Sequence, residues 1–256
     1  MDFMGNPLIA ERKYDRLQQG FYKETEPIRF FHCDPLLRLK LSCLNGFLAE
    51  IASTDYEIKG HGREDLLNRD VLFLLSRVSI QINRMPRYGD RLTLTTWEDQ
   101  VKGALCIRNF EGEDQNGTLC FSSESAWMVV NPKTRQIRRP NSVDGIYQPS
   151  YLPSQAPSCE KLRFLGGNFI GERIVQYSDL DGNGHTYNAK YSDFAMDVLP
   201  DVLRQKELRQ FQINFNHEAL LGDSVSLFLW QEGDRAMVKG ETNGKDCFVC
   251  SFLFEE

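Results

Sequence analysis

The chain repeats itself. Residues 77–97, RVSIQINRMPRYGDRLTLTTW, lie over residues 209–230, RQFQINFNHEALLGDSVSLFLW. Ile80 and Ile213, Gly89 and Gly222, Asp90 and Asp223, and Trp97 and Trp230 are each separated by 133 positions. Both copies alternate before a Gly-Asp turn: Val78, Ile80 and Ile82 in one, Phe211, Ile213 and Phe215 in the other. A second alternating run follows each turn, so each copy predicts an antiparallel strand pair with one buried face. Further on, NGTLCF (116–121) lies over NGKDCF (243–248), and each Asn-Gly step is a strong hairpin signal. Such a chain folds as two like units.

Each unit also carries a helical stripe. Leu37, Leu41, Leu44, Leu48 and Ile51 step by four and three in the first, and Tyr191, Phe194, Ala195 and Val198 do so in the second. Between the units, PNSVDGIYQPSYLPSQAPSCE (140–160) is rich in Pro and Ser and reads as a linker. A sheet that curls round one apolar helix buries its inner face and that helix together. The predicted class is α+β, a double (tandem) hotdog: two long helices, each wrapped by a curved antiparallel sheet. The expected boundaries are 1–145 for the first repeat, 146–164 for the linker and 165–256 for the second.

Composition narrows the function classes. A hydrophobic content of 41% and a charged content of 26% are those of a soluble globular protein. No apolar run approaches the ~20 residues of a membrane helix, and MDFMGNPLIAERKYDRLQQG lacks the layout of an export signal. The 7 cysteines are odd in number and scattered, which predicts reduced thiols in the cytoplasm. A net charge of −6 argues against a nucleic-acid partner.

One short stretch carries the chemistry. SDLDGNGHTYN (178–188) opens like a calcium loop, but the twelfth position from Asp179 is Lys190, where the cation needs a carboxylate. No metal is expected, and no cofactor. The repeat offers an internal control for the polar cluster. Aligning Asp34 with Asp181 sets FHCDPLLRLKLS over SDLDGNGHTYNA, and only the second copy presents Asp181, Asn183, His185 and Asn188 at and just inside the expected helix start. Gly182 and Gly184 let another molecule approach. Where the first copy has Met85 and Pro86, the second has Glu218 and Ala219. Asp181 or Asn183 alone suits a helix cap, and His185 or Glu218 alone suits an ordinary surface. Their concentration in one copy points to a site. The helix start, with its free N–H groups, would suit an oxyanion.

SDLDGNGHTYNAKYSDF, LLSRVSIQINRMPRYGDRLTLTTW and WMVVNPKTRQIRRP resemble the acyl–acyl carrier protein thioesterases, over roughly residues 20–140 and 165–256. The resemblance implies hydrolysis of an acyl thioester, with Asp181, Asn183, His185 and Glu218 as catalytic residues. It also implies that the first repeat holds the acyl chain and that the partner is acyl carrier protein bearing a fatty acyl group. Two basic clusters offer that acidic partner a landing site: Lys133, Arg135, Arg138 and Arg139, and Arg84, Arg87 and Arg91. Plant members carry a cysteine after the glutamate, where this chain has Ala219, which favours carboxylate over thiol chemistry. The alternatives are an acyl-CoA thioesterase on the same fold and a non-catalytic acyl-thioester binder. A monomer and a homodimer are both compatible with the tandem repeat.

Overall fold

A computed structural model of the chain describes residues 20–143, 145–150 and 152–255. The N-terminal segment read for an export signal lies outside them. The first half comprises β1 (Tyr22–Pro27), α1 (Leu41–Ile58), α2 (Arg63–Asn68), β2 (Leu72–Ile82), β3 (Arg91–Lys102), β4 (Leu105–Glu113), β5 (Leu119–Val130) and a short β6 (Ile137–Arg138). The second comprises β7 (Asn168–Ile174), α3 (Lys190–Asp197), α4 (Asp201–Arg204), β8 (Leu208–Phe215), β9 (Ser224–Glu232), β10 (Arg235–Thr242) and β11 (Lys245–Phe254).

All these strands join one sheet in the order β1-β3-β4-β5-β2-β8-β11-β10-β9-β7, with β6 on β5. Read from the centre, the order is the same in both directions. At the seam Ser79 faces Gln212, with Val78 opposite Ile213 and Ile80 opposite Phe211. Ser79 and Gln212 are the same position of the two copies, since 212 − 79 = 133. The strand therefore pairs with its own counterpart, and the halves are related by a pseudo-twofold axis through that pair. The buried side of the sheet wraps α1, which contributes Leu41, Leu44, Leu48, Ile51, Ala52 and Ile58, and α3, which contributes Tyr191, Phe194 and Ala195. Each large apolar side chain so buried contributes about 1.5–3 kcal/mol. This is the tandem hotdog.

Two helical expectations need correction. Leu37 is not on α1: it has φ 59° and is 44% exposed. The Asp34 carboxylate accepts from the N–H groups of Leu36 and Arg38, both at 2.9 Å, and folds the chain into a loop before the helix starts. The second helix is 8 residues against 18 for the first. Pro200 ends it, because a proline disfavours helical backbone at the residue before it, and the chain restarts as α4.

The C-terminal end of α1 is polar inside. Lys59 Nζ lies 3.1 Å from Asp55 Oδ2 and 2.6 Å from Glu98 Oε2, and Arg108 Nη1 lies 2.9 Å from the same Asp55 oxygen. All four side chains are buried. Two carboxylates and two cations balance, and removing one member of such a pair typically costs about 3–5 kcal/mol. No helix of the described residues is long and apolar enough to cross a membrane.

A second repeated device lies in the hairpins. Gly112 pairs with Phe121 across β4–β5, and Gly240 pairs with Phe248 across β10–β11. A Cβ on either glycine would sit 2.2 Å from the facing ring, and both rings are fully buried. Gly112→Ala and Gly240→Ala should each destabilise by about 1–3 kcal/mol through overpacking. Denaturant midpoints measure this, and Gly171→Ala, at a strand position with open space and no positive φ, is the control for the substitution itself.

Candidate active site

The loop between β7 and α3 has the backbone of the loop between β1 and α1. In the first, Asp34 Oδ1 accepts from Leu36 and Arg38, and Cys33 bridges to Leu39. In the second, Asp181 Oδ1 accepts from the N–H groups of Asn183 at 2.8 Å and His185 at 3.3 Å, and Leu180 bridges to Thr186. Each loop is then tied to the strand–turn of its own half. Leu39 N–H donates to Pro86 O at 2.7 Å, and Thr186 N–H donates to Ala219 O at 3.1 Å. Pro86 and Ala219 are equivalent positions, separated by 133 residues.

That tie brings the sequence-predicted residues together. The Thr186 hydroxyl also donates to Ala219 O, at 2.7 Å, and Ala219 N–H donates to the Tyr191 hydroxyl at 3.0 Å. With both sides of Ala219 held, its neighbour Glu218 places Oε2 3.7 Å from His185 Nε2. The two side chains are 35% and 40% exposed, open enough to meet a substrate. Asn183 and Asp181 sit on the same loop, Asn183 Nδ2 lying 3.4 Å from Asp181 Oδ2. Asn188 faces elsewhere, lining a small cavity of about 60 Å³ with Asn45, Tyr187 and Trp127.

The internal control now separates the four residues. Asn183 replaces Leu36, His185 replaces Arg38 and Glu218 replaces Met85, whereas Asp181 replaces another aspartate that makes the same bonds. Asp181 is therefore common to both scaffolds, contrary to the expectation that it marks the second alone. A second correction concerns the helix start. Residues 181–188 precede α3, whose first residue is Lys190. The N–H groups of Lys190, Tyr191 and Ser192 donate to the carbonyls of Tyr187, Asn188 and Ala189, at 2.8, 3.3 and 3.1 Å. Tight turns at the entry consume the donors that an oxyanion would need.

Two residues from the first half reach the second-half cluster. Arg63, at the start of α2, donates from Nη2 to Asn183 Oδ1 at 2.8 Å. Arg135 Nη1 lies 3.6 Å from Glu218 Oε2. Arg135 belongs to the basic run KTRQIRR, but nothing in the sequence marks Arg63. The reciprocal contact exists too: Arg38, in the slot of His185, donates to Lys206 O and Arg204 O of the second half at 2.7 and 2.6 Å. Of the other basic candidates, Arg84 pairs with Asp90 and Asp114, Arg87 with Glu207, and Lys133 with Asp70.

A cavity of about 300 Å³ opens beside this cluster, with Arg63 and Asn183 in its wall. It runs between α1, α2 and the first-half sheet, lined by Ala52, Leu66, Leu67, Phe73 and Trp127. Cys106 also lines it, but burial pushes its thiol up to about 12, so it stays protonated at neutral pH. The loop bonds of Asp34 and Asp181 predict matched behaviour. Asp34→Ala and Asp181→Ala should each cost on the order of 1 kcal/mol in urea unfolding, and Asn at either position, which keeps one acceptor, should cost less.

The chain has relatives over most of its length. The model of the acyl-ACP thioesterase N-terminal domain matches residues 19–144, and that of the acyl-ACP thioesterase C-terminal domain matches residues 168–246. A chloroplastic acyl-[acyl-carrier-protein] hydrolase of Cuphea viscosissima is 26% identical over 193 residues, covering 70% of this chain and 47% of its own. A chloroplastic dodecanoyl-[acyl-carrier-protein] hydrolase of Cinnamomum camphora is 25% identical over 171 residues, covering 63% of this chain and 44% of its own. The match thus spans less than half the length of these curated relatives. Among solved structures, an acyl-ACP thioesterase from Bacteroides thetaiotaomicron superposes with a TM-score of 0.86 at 23% identity, over 93% of this chain and 99% of that one. A 12:0-ACP thioesterase from Umbellularia californica gives 0.79 at 17% identity, over 92% and 97%. At these identities the structural matches establish the fold.

Proposed function

The chain belongs to the acyl-ACP thioesterase family, and on that premise we propose that it hydrolyses the thioester of a fatty acyl group carried by acyl carrier protein. The observation that carries this reading is the contact of His185 Nε2 with Glu218 Oε2 at 3.7 Å, beside Asn183 at the wall of an apolar cavity. The acyl chain lies in that cavity, in the first half, and the second half supplies the reacting groups. The product is a free fatty acid, which ends elongation of that chain.

The roles follow from what each group has free. Asp181 Oδ1 is committed to two backbone donors, so Asp181 holds the loop. Glu218 accepts from no backbone donor among the described residues and faces His185. We assign Glu218 and His185 to the general base that takes a proton from the attacking water. Arg63 occupies the oxygen of the Asn183 amide, and Nδ2, one of whose hydrogens goes to Asp181 Oδ2, keeps the other as the donor for the thioester carbonyl as it becomes an oxyanion. Water oxygen bonds to the carbonyl carbon, the C–S bond breaks, and the imidazolium returns a proton to the departing thiolate. With Ala219 after the glutamate, no thiol takes part in the loop chemistry. All seven cysteines are free.

Glu218→Gln and His185→Ala should each lower kcat by about 10²–10⁴ with little change in KM, as for a lost general base. Full activity in either variant would remove the assignment, and stoichiometric acyl-thioester binding without turnover in the wild type would favour a binding protein. The carrier is tested by charge. Lys133→Glu with Arg139→Glu, at exposed positions clear of the cluster, should raise KM for acyl carrier protein thioesters and leave acyl-CoA of equal length unchanged. An equal effect on both would favour the CoA handle.

A further inference from the structure

The large cavity beside Asn183 and the small one beside Asn188 are successive compartments of one groove, between α1 and the inner face of the first-half sheet. Ala52 and Ser53 of α1 line the larger, of about 300 Å³, while Leu48 and Ala49, one turn earlier, line the smaller, of about 60 Å³. The strands divide in the same way, at positions two apart that share a face: Phe73 and Leu75 on β2, Arg108 and Phe110 on β4. Among the described residues, Trp127 of β5 alone lines both. Its neighbours across the sheet are Cys106, in the wall of the larger compartment, and Leu75, in the wall of the smaller. The indole stands at the boundary. Its Nε1–H donates at 2.6 Å to the hydroxyl of the buried Ser125, two residues back on the same face, and that bond fixes the ring there.

An acyl chain in the larger compartment has two directions along α1 in which to lengthen. Toward the C-terminal end of the helix, the interior is filled by Asp55, Lys59, Glu98 and Arg108, whose separation would leave buried charge unpaired. Toward the N-terminal end it meets Trp127, and beyond the indole lie Leu48, Leu75, Val78 and Phe110 of the smaller compartment. We propose that Trp127 is the specificity-determining residue that sets the upper acyl length, a partition whose removal joins the two compartments and admits longer chains. This rests on the reading of the larger cavity as the acyl site. The physical cause is packing. A chain one carbon too long must overpack a filled interior or displace the indole. The bond to Ser125 and the packing of the ring on the cluster of Val71, Val129 and Ile146 oppose that displacement.

The test grades acyl length. Saturated acyl carrier protein thioesters are compared by kcat/KM in the wild type and in Trp127→Ala. In the wild type kcat/KM should rise by about fourfold per methylene while the larger compartment fills, the value of one buried methylene, and then fall. In Trp127→Ala the rise should continue to longer chains, with shorter ones little changed. A fall at the same length in both proteins overturns the proposal and leaves the hydrolytic reading intact. Ala49→Leu, which narrows the smaller compartment, should cancel the extension in the Trp127→Ala background and leave the wild-type limit where it is. If Ala49→Leu alone shortens the limit, the chain already passes the indole and the proposal falls. Should Trp127→Ala not fold, quenching of wild-type tryptophan fluorescence by free ω-bromo fatty acids decides. It should peak at the length where kcat/KM falls, and a quench with no peak in length overturns the proposal. If no thioester is hydrolysed, the hydrolytic reading fails. The proposal then stands if displacement of a fluorescent fatty acid by graded free acids shows a length limit that Trp127→Ala moves upward, and falls if the limit is absent or unmoved.

Discussion

The antiparallel pairing of β2 with β8 is the constraint on which the rest of the molecule depends. Because Ser79 faces its own counterpart Gln212, one register satisfies both halves at once. A slip of one residue would turn Val78, Ile80, Phe211 and Ile213 from the core to the outside, so the register is held by the burial of both cores. The consequence is geometric. A twofold seam lays the entry loop of each half against the helices of the other. Asn45 of α1 donates to Ser192 of α3 at 2.9 Å, Arg38 reaches carbonyls at and just beyond the end of α4, and Arg63 reaches Asn183. The polar cluster belongs to the junction, and neither half contains it whole.

On that frame the two entry loops show how one backbone serves two purposes. An aspartate carboxylate closes each loop, and a backbone bond to the strand–turn fixes its distance from the sheet. What differs is what the loop presents. In the first half the slot holds Arg38, whose guanidinium latches the halves together, and the facing position holds the buried Met85. In the second the same slots hold His185 and Glu218, both partly open to solvent. A residue that maintains the scaffold appears twice, and a residue that acts on a ligand has reason to appear once. By that comparison Asp181 is common to both scaffolds, while His185, Glu218 and Asn183 are particular to the second.

The ion cluster behind the cavity sits uneasily with a purely apolar role for the first half. Burying Asp55, Lys59, Glu98 and Arg108 costs desolvation that their mutual attraction at best offsets, and apolar residues of similar volume would often be as stable. Arg108 also stacks on Tyr56, 5.0 Å from the ring centroid, which stiffens that end of the pocket.

The amino-acid sequence by itself determined the duplication, the strand pairs and their turns, and which residue types gather at the entry of the second helix. Those features rest on periodicities of two and 3.6 residues and on the left-handed backbone of steps such as Asn243-Gly244, all of which are local. It misplaced Leu37 on a helix and set the polar residues at a helix start, because a side chain closing a loop on the backbone leaves no period to read. Asp34 and Asp181 do that work, with bonds spanning two and four residues. Only the tertiary structure decided that Arg63 and Arg135 reach across to Asn183 and Glu218, and that Arg108 pairs with Asp55 beneath the sheet. Those contacts join residues more than 50 positions apart, and it is the twofold seam and the packing of α1 against the sheet that bring them together.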